Sequence, residues 1–229
     1  MKYKKKGITI TIDGPAGSGK STIARILAMR ISYNYINTGD LYRYVTYCAI
    51  KNKLNVNSPE LMDNLSKKIV EELIVNRDNL EFIFQEDSYI KKQIHSPDID
   101  KKVSLVARHF TVRKNLIPLQ RLLAENKSIV MEGRDIGSVI LPNADLKFYL
   151  IANEKTRTDR RYKELKEKGF NVTIDEVKSE IKKRDQIDSK RKFAPLTIPE
   201  DAIIVDTSDK SIEEVINLML ENVKSQESV

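Results

Sequence analysis

Tryptophan is absent from the 229-residue chain, cysteine occurs once, as Cys48, and histidine twice, as His95 and His109. One cysteine excludes an intramolecular disulfide. Its place in a helical pattern with Val45 and Ala49 reads as a small packed apolar residue. No Cys/His cluster surrounds the histidines, which excludes a zinc site of the usual kind. No apolar run approaches the ~18 residues of a membrane helix. The basic start, Met1-Lys2-Tyr3-Lys4-Lys5-Lys6, leads into a β-patterned segment and not into a signal-peptide core, so a cytoplasmic protein without a membrane partner is expected. Aromatics make up 7% of residues. With no tryptophan for base stacking and no RRM, KH or helix-turn-helix pattern, no nucleic-acid partner is expected. The net charge of +7 favours anionic partners in general, and fits a solvated basic surface equally well.

The length suits one α/β domain, or one core with a small insertion, and a monomer is expected. Gly7 to Ile12 alternates β-branched residues as a strand does. A glycine-rich turn and a helix over Ser21 to Ile31 follow, the opening of a βαβ unit. Further helices are expected over Leu41 to Ile50 and from Ser58-Pro59, where Leu61, Leu65, Ile69 and Leu73 recur every four residues. Glu71 to Val75, Leu80 to Phe84 and Ser88 to Lys91 read as short strands. Turns at Arg77-Asp78-Asn79 and Glu86-Asp87 would join them into a small antiparallel insertion over about residues 72 to 97. Helical stretches near Asp100 to His109 and Thr111 to Asn126 come next, with Pro118 expected to kink the second. Ser128 to Met131 and Ala144 to Ile151 are apolar strands joined by a polar turn, and Ala202 to Val205 is a last one. Glu154 to Lys168 is a basic helix stopped by Gly169. Capping boxes at Thr173/Glu176 and Ser211/Glu214 open two more helices. Buried strands alternating with helices imply a parallel sheet covered on both faces.

Gly14-Pro15-Ala16-Gly17-Ser18-Gly19-Lys20-Ser21 fits G-x-x-x-x-G-K-[ST]. Glycines let backbone N–H groups turn inward around an oxyanion. The helix that follows adds its unpaired N–H groups and positive end. Lys20 is expected to reach the β- and γ-phosphates of a nucleotide, and the Ser21 hydroxyl to bind Mg²⁺. The loop alone fits a kinase, a GTPase, an ATPase motor or an RNA-associated NTPase alike.

A phosphotransferase also needs an acceptor held in line and cations on the migrating charge. Guanidinium binds phosphate through a bidentate fork, so arginines at separated points are the signal. Arg43 lies one turn into the helix after Thr38-Gly39-Asp40-Leu41-Tyr42, where a solvated face explains it as well. Glu132-Gly133-Arg134-Asp135-Ile136-Gly137 leaves an apolar strand at its carboxyl end, where open α/β sheets place ligands. Arg157, Arg160 and Arg161 start the basic helix and suit a lid over transferring phosphates. Arg184-Asp185-Gln186-Ile187-Asp188-Ser189-Lys190-Arg191 is dense in alternating charge, which a solvated helix also explains.

Taken together, these segments resemble bacterial cytidylate kinase, a P-loop nucleoside monophosphate kinase, along nearly the whole chain. The resemblance rests on Ile12 to Thr22, Thr38-Gly39 with Leu41-Tyr42-Arg43, Val112-Arg113, Glu132 to Gly137, Arg160-Arg161 with Glu167-Lys168-Gly169, and Arg184-Asp185 through Asp188 and Arg191 to Ala194-Pro195-Leu196. It implies a P-loop kinase fold, a parallel sheet flanked by helices, with a small antiparallel β insertion and a helical lid. The core would take about 7–37, 105–152 and 200–224, the acceptor-binding region about 38–104, and the lid about 153–196. It implies phosphorylation of CMP and dCMP by ATP with Mg²⁺, by direct in-line transfer. Gly14 to Thr22 would hold ATP. Arg43, Arg134 and Arg191 would hold the acceptor phosphate, and Ser104, Arg113 and Asp135 would read the cytosine ring. Arg184 and Asp188 would meet the sugar, and Thr38 belongs to the same acceptor set. Lys20 and Arg134, with the lid's Arg157 and Arg161, would neutralise the moving phosphoryl group. Two positions depart from the family pattern. Asp40 replaces a small residue and is expected to loosen acceptor affinity near Arg43. Ser138 replaces a common threonine. The rival readings are another small-molecule P-loop kinase, of AMP or shikimate, and an RNA-associated regulatory NTPase.

Overall fold

The computed structural model describes residues 7–76, 83–85, 88–126 and 128–227. The chain divides into two compact units, Met1–Ile36 with Asn126–Val229, and Asn37–Glu125.

In the first unit the alternating start of the chain forms β1 (Thr9–Asp13), buried at every residue. It is the middle strand of five, in the order β2 (Asn34–Asn37), β3 (Ile129–Glu132), β1, β4 (Leu146–Ile151), β5 (Ile203–Asp206). β1 runs parallel to β3, with Ile10 opposite Val130, and parallel to β4, with Ile12 opposite Phe148; β4 is parallel to β5. Parallel strands need crossovers, and helices supply them. α1 (Lys20–Ile31) packs against α9 (Ile212–Glu227), and α7 (Glu154–Glu167) against α8 (Ile174–Lys190). Ile10, Ile12, Leu27, Phe148, Leu150, Ile216 and Met219 fill the core between sheet and helices. Both expected capping boxes are present: Thr173 and Glu176 bond reciprocally, as do Ser211 and Glu214.

The second unit is helical: α2 (Gly39–Lys51), α3 (Pro59–Val75), α4 (Tyr89–Ile94), α5 (Pro97–Ala107) and α6 (Phe110–Leu123). The Ser58 hydroxyl caps α3 as expected, accepting from the Leu61 N–H. α6 runs as one element through Pro118. Residues 105–125, grouped with the core from sequence, pack in this unit. The reason is that Val112, Leu116 and Leu119 share a core with Val45, Met62, Leu73 and Ile94.

The small antiparallel insertion is corrected. Glu71 to Val75 is the last turn of α3, because Met62, Ser66, Ile69, Val70 and Leu73 keep the helical period on the buried side. Ile83 and Phe84 are helical, whereas Leu80 to Phe82 and the two turns at 77–79 and 86–87 lie outside the described residues. Ser88 is an N-cap whose hydroxyl accepts from the Lys91 N–H, so Tyr89 to Lys91 begin α4 and form no strand. The polar turn expected before β4 is also different. Ile136–Ile140 forms one π turn, in which the Asp135 carbonyl accepts from the Ile140 N–H at 3.2 Å and the Ile136 carbonyl from the Leu141 N–H at 2.7 Å. Among the described residues no helix is long and apolar enough to cross a membrane.

Candidate functional site

β1 delivers the glycine loop from the middle of the sheet. Gly14 has φ 148°, and a Cβ there would lie 2.1 Å from the Leu150 carbonyl oxygen, so the loop leaves the strand where no side chain fits. Gly17 has φ 76°, and a Cβ there would meet the Arg157 carbonyl oxygen at 2.8 Å, which brings α7 directly onto the loop. The buried Ser18 hydroxyl donates to the Pro15 carbonyl at 3.1 Å. Lys20 opens α1 at 4% exposure, its ammonium curled back onto the Pro15 carbonyl at 2.6 Å. Burial first, and the Arg134 and Arg184 charges with it, drive its pKa well below the ordinary lysine value against the pull of Glu132 and Asp13. An ammonium held this way gains most from an incoming polyanion. Ser21 and Thr22 follow, exposed, on the first turn of α1.

The loop after β3 carries Arg134 and Asp135 beside this cradle. Its position is set by Asp13, the last residue of β1. One Asp13 oxygen accepts from the Ile136 N–H at 2.9 Å and the other from the Gly137 N–H at 2.7 Å. Burial is the largest influence on this carboxyl and, against those two amides, pushes its pKa up to about 6. Glu132, 2% exposed, accepts from the Tyr35 hydroxyl at 2.9 Å.

Three predicted arginines converge on one carboxylate. Asp188, 4% exposed near the end of α8, faces Arg134 at 3.1 Å, Arg191 at 3.6 Å and Arg184 at 3.9 Å. Burial raises the Asp188 pKa, but the Arg134, Arg184 and Arg191 charges outweigh it and hold the carboxyl below the usual range. Arg191 also reaches Asp135 at 3.4 Å and donates to the Ala194 carbonyl. Arg134, Asp135, Arg184, Asp188 and Arg191 are therefore one cluster, tied by charge to Lys20.

The lid helices close on the glycine loop through the expected Arg157 and Arg160 and through Asp185 and Thr207, to which the sequence reading gave no role. Asp185 of α8 accepts from the Ala16 N–H at 3.3 Å and pairs with Arg157 at 2.5 Å, while Arg157 donates to the Ala16 carbonyl at 3.0 Å. The backbone of Ala16 is thus held at both its N–H and its carbonyl. Arg160 donates to the Thr207 hydroxyl at 2.9 Å, and that hydroxyl donates to the Ser18 carbonyl at 3.1 Å. Arg161, the neighbour chosen from sequence, bonds Glu164 of its own helix at 2.6 Å. Of the residues without an assigned role, Asp13 had the clearest signal, an acid ending a strand of alternating threonine and isoleucine.

Thr38, Arg43, Ser104 and Arg113 belong to the second unit. Thr38 is buried just before α2, and Ser104 is buried on α5. Arg43 donates to the Ile94 carbonyl at 3.1 Å and pairs with Asp100 at 2.5 Å. Arg113, 1% exposed, lies over the Tyr42 ring at 5.2 Å and donates to the Ala107 carbonyl at 3.3 Å. Asp40 is fully buried, with Lys91 at 2.6 Å and His95 at 2.8 Å. Arg43 and Arg113 are therefore buried and bonded, which rules out the solvated-face reading for Arg43. Among the described residues no group of three or more acidic, histidine or cysteine side chains could hold a metal ion alone.

Comparison with known proteins adds to this geometry. Residues 10–225 match the family model described as cytidylate kinase. The chain is 43% identical over 217 residues to the cytidylate kinase of Caldanaerobacter subterraneus subsp. tengcongensis, covering 95% of each protein. It is 40% identical over 222 residues to that of Bacillus subtilis (strain 168), covering 97% of this chain and 99% of the relative. An uncharacterized protein from Eubacterium ventriosum shares the fold with a TM-score of 0.54 at 15% identity, covering 96% of this chain and 99% of that one.

Proposed function

Given that the chain belongs to the cytidylate kinase family, and is thus a P-loop kinase that phosphorylates CMP, we propose that it moves the γ-phosphate of ATP directly onto the phosphate of CMP or dCMP in the cytoplasm, acting as a monomer. The carrying observation is the meeting of Lys20, Arg134 and Arg184 in one buried field next to the glycine loop. Asp188 now pairs with these guanidinium groups, and a phosphate suits the same forked donors.

The acceptor is already an oxyanion, so little proton abstraction is needed and no covalent enzyme intermediate forms. Catalysis is positioning and charge neutralisation. Backbone N–H groups of Gly14 to Thr22 cradle the donor phosphates, and Lys20 swings from the Pro15 carbonyl to the β- and γ-oxygens. The exposed Ser21 hydroxyl, a hard oxygen beside Lys20, suits Mg²⁺, which is bound through few protein ligands plus phosphate oxygens and supplies charge neutralisation there. Arg43, Arg134 and Arg191 hold the acceptor phosphate. Arg134, Arg157 and Arg161 stabilise the migrating charge, with Arg157 already docked on the loop it would close. Arg184 and Asp188 meet the sugar, Thr38 belongs to the same acceptor set, and Ser104, Arg113 and Asp135 read the base.

An acceptor panel with ATP and Mg²⁺ tests the assignment. Asp135 accepts from the cytosine amino group, where uracil carries a carbonyl. Mismatching a buried polar group costs ~1–3 kcal/mol, so kcat/KM for CMP should exceed that for UMP by roughly ten- to a hundredfold. Equal values would remove Asp135 from base recognition, and turnover of AMP or shikimate in place of CMP would overturn the assignment as a whole.

A further inference from the structure

A buried carboxylate one helical turn from an anion-binding arginine works against that arginine. Residues three apart on a helix are neighbours, and Asp40 is three before Arg43 on α2. Both side chains are nearly or wholly excluded from water, where charges interact strongly. Left bare, the Asp40 anion would draw the Arg43 guanidinium's field to itself and repel an incoming phosphate.

The structure shows Asp40 covered. Lys91, 7% exposed on α4, places its ammonium 2.6 Å from one carboxylate oxygen. His95, one residue past α4, donates from Nε2 to the other oxygen at 2.8 Å. Burial and the neighbouring Arg43 and Lys91 charges depress the His95 pKa, against the pull of Asp40, so the imidazole bonds the carboxylate without matching its charge. Among the described residues, Lys91 is the cation in contact with it. The same short helix ends in Ile94, whose carbonyl accepts from Arg43 Nη1, while Asp100 takes Nη2. Arg43 is therefore oriented by α4 and α5, and α4 also brings the charge that masks its neighbour.

We propose that Lys91 is a positioning residue of the acceptor site, masking the buried Asp40 carboxylate so that the charge of Arg43 is presented to the acceptor phosphate. This replaces the sequence-based expectation that Asp40 loosens acceptor affinity: the acid is tolerated because a partner 51 residues downstream neutralises it. The inference rests on reading Arg43 as an acceptor-phosphate ligand, and the experiment separates the two.

Steady-state kinetics at about pH 8, where imidazole is neutral, would compare wild type with Lys91→Gln, Asp40→Asn/Lys91→Gln and Arg43→Lys. Lys91→Gln keeps a hydrogen-bond donor for Asp40 but removes the charge. It should raise KM for CMP by about tenfold, leaving kcat and KM for ATP within about twofold of wild type. The double variant is uncharged and nearly isosteric at Asp40, and should bring KM for CMP back to within about threefold of wild type. A purely structural role would leave the double variant at least as impaired as the single one. If Lys91→Gln is insoluble, recovery of near-normal KM in the soluble double variant supports the proposal, and an elevated KM there overturns it. An unchanged KM in Lys91→Gln also overturns it. Arg43→Lys should itself raise KM for CMP. If it does not, the reading of Arg43 fails; if it does while Lys91→Gln has no effect, only the masking role of Lys91 fails.

Discussion

At the residue scale Asp13 links the two halves of the chemistry. It is the last residue of the central strand, followed at once by the phosphate loop, and its carboxylate holds the amides of Ile136 and Gly137. Burial lifts its pKa from 3.8 to about 6, so the native state binds this proton more tightly than the unfolded chain does. The contribution to stability is then full below pH 3.8 and is lost as pH rises through about 6. A shift of that size is worth about 3 kcal/mol. Urea denaturation of the ligand-free protein and of Asp13→Asn at several pH values should show the stability difference, wild type minus variant, falling by about this amount between roughly pH 4 and pH 7. A flat or rising difference would mean that the two amides, and not burial, dominate the carboxyl. Nothing in the sequence showed which groups Asp13 grips, because backbone amides are common to every residue type. The arginines were legible for the opposite reason, since the guanidinium fork that phosphate chemistry calls for is written in the sequence. That Arg134, Arg184 and Arg191 share Asp188 was not, because it depends on how α8 returns to the sheet.

At the element scale, helix starts were the most readable feature. Ser58, Thr173 and Ser211 each cap the helix expected of them. A side-chain cap substitutes for a missing backbone partner and so acts locally, which lets short sequence patterns locate it. Thr173→Ala should cost about 1 kcal/mol in equilibrium unfolding. The cap lies at the exposed start of α8, while Asp185 and Asp188 lie towards its far end. KM for ATP and CMP should therefore be unchanged, and a shift in either would show that fraying of α8 reaches the carboxylates. The misreading of 71–75 has the converse cause. Ile74 and Val75 are 42% and 86% exposed, and β-branched residues on the outside of a helix imitate a strand when burial is unknown. The π turn at 136–140 has no comparable sequence signature. It begins at the two successive amides that Asp13 holds, and its own backbone bonds span five residues.

At the scale of the whole molecule, the alternation of strands and helices was sufficient to foresee a parallel sheet, and the glycine loop to foresee the βαβ unit that opens it; that its first strand is the middle one was not legible. The division of the chain was harder, because α6 is amphipathic and nothing local says which core its apolar face joins. Ligand binding to the folded chain alone stabilises it by mass action. CMP at a hundred times its Kd should add about 2.7 kcal/mol to unfolding stability, and ATP the same under the same condition. Thermal unfolding unaffected by CMP but raised by ATP would leave the donor half of the assignment standing and remove the acceptor half. The sheet also has a consequence for engineering. β1, β3, β4 and β5 all point the same way, so the loops that do the work leave from one rim, and the turns feeding β4 and β5 sit on the opposite rim. Reporter peptides or new chain ends spliced into that far rim at 142–144 would tax folding and spare turnover, whereas the same graft behind β1 or β3 would abolish turnover in a protein that still folds.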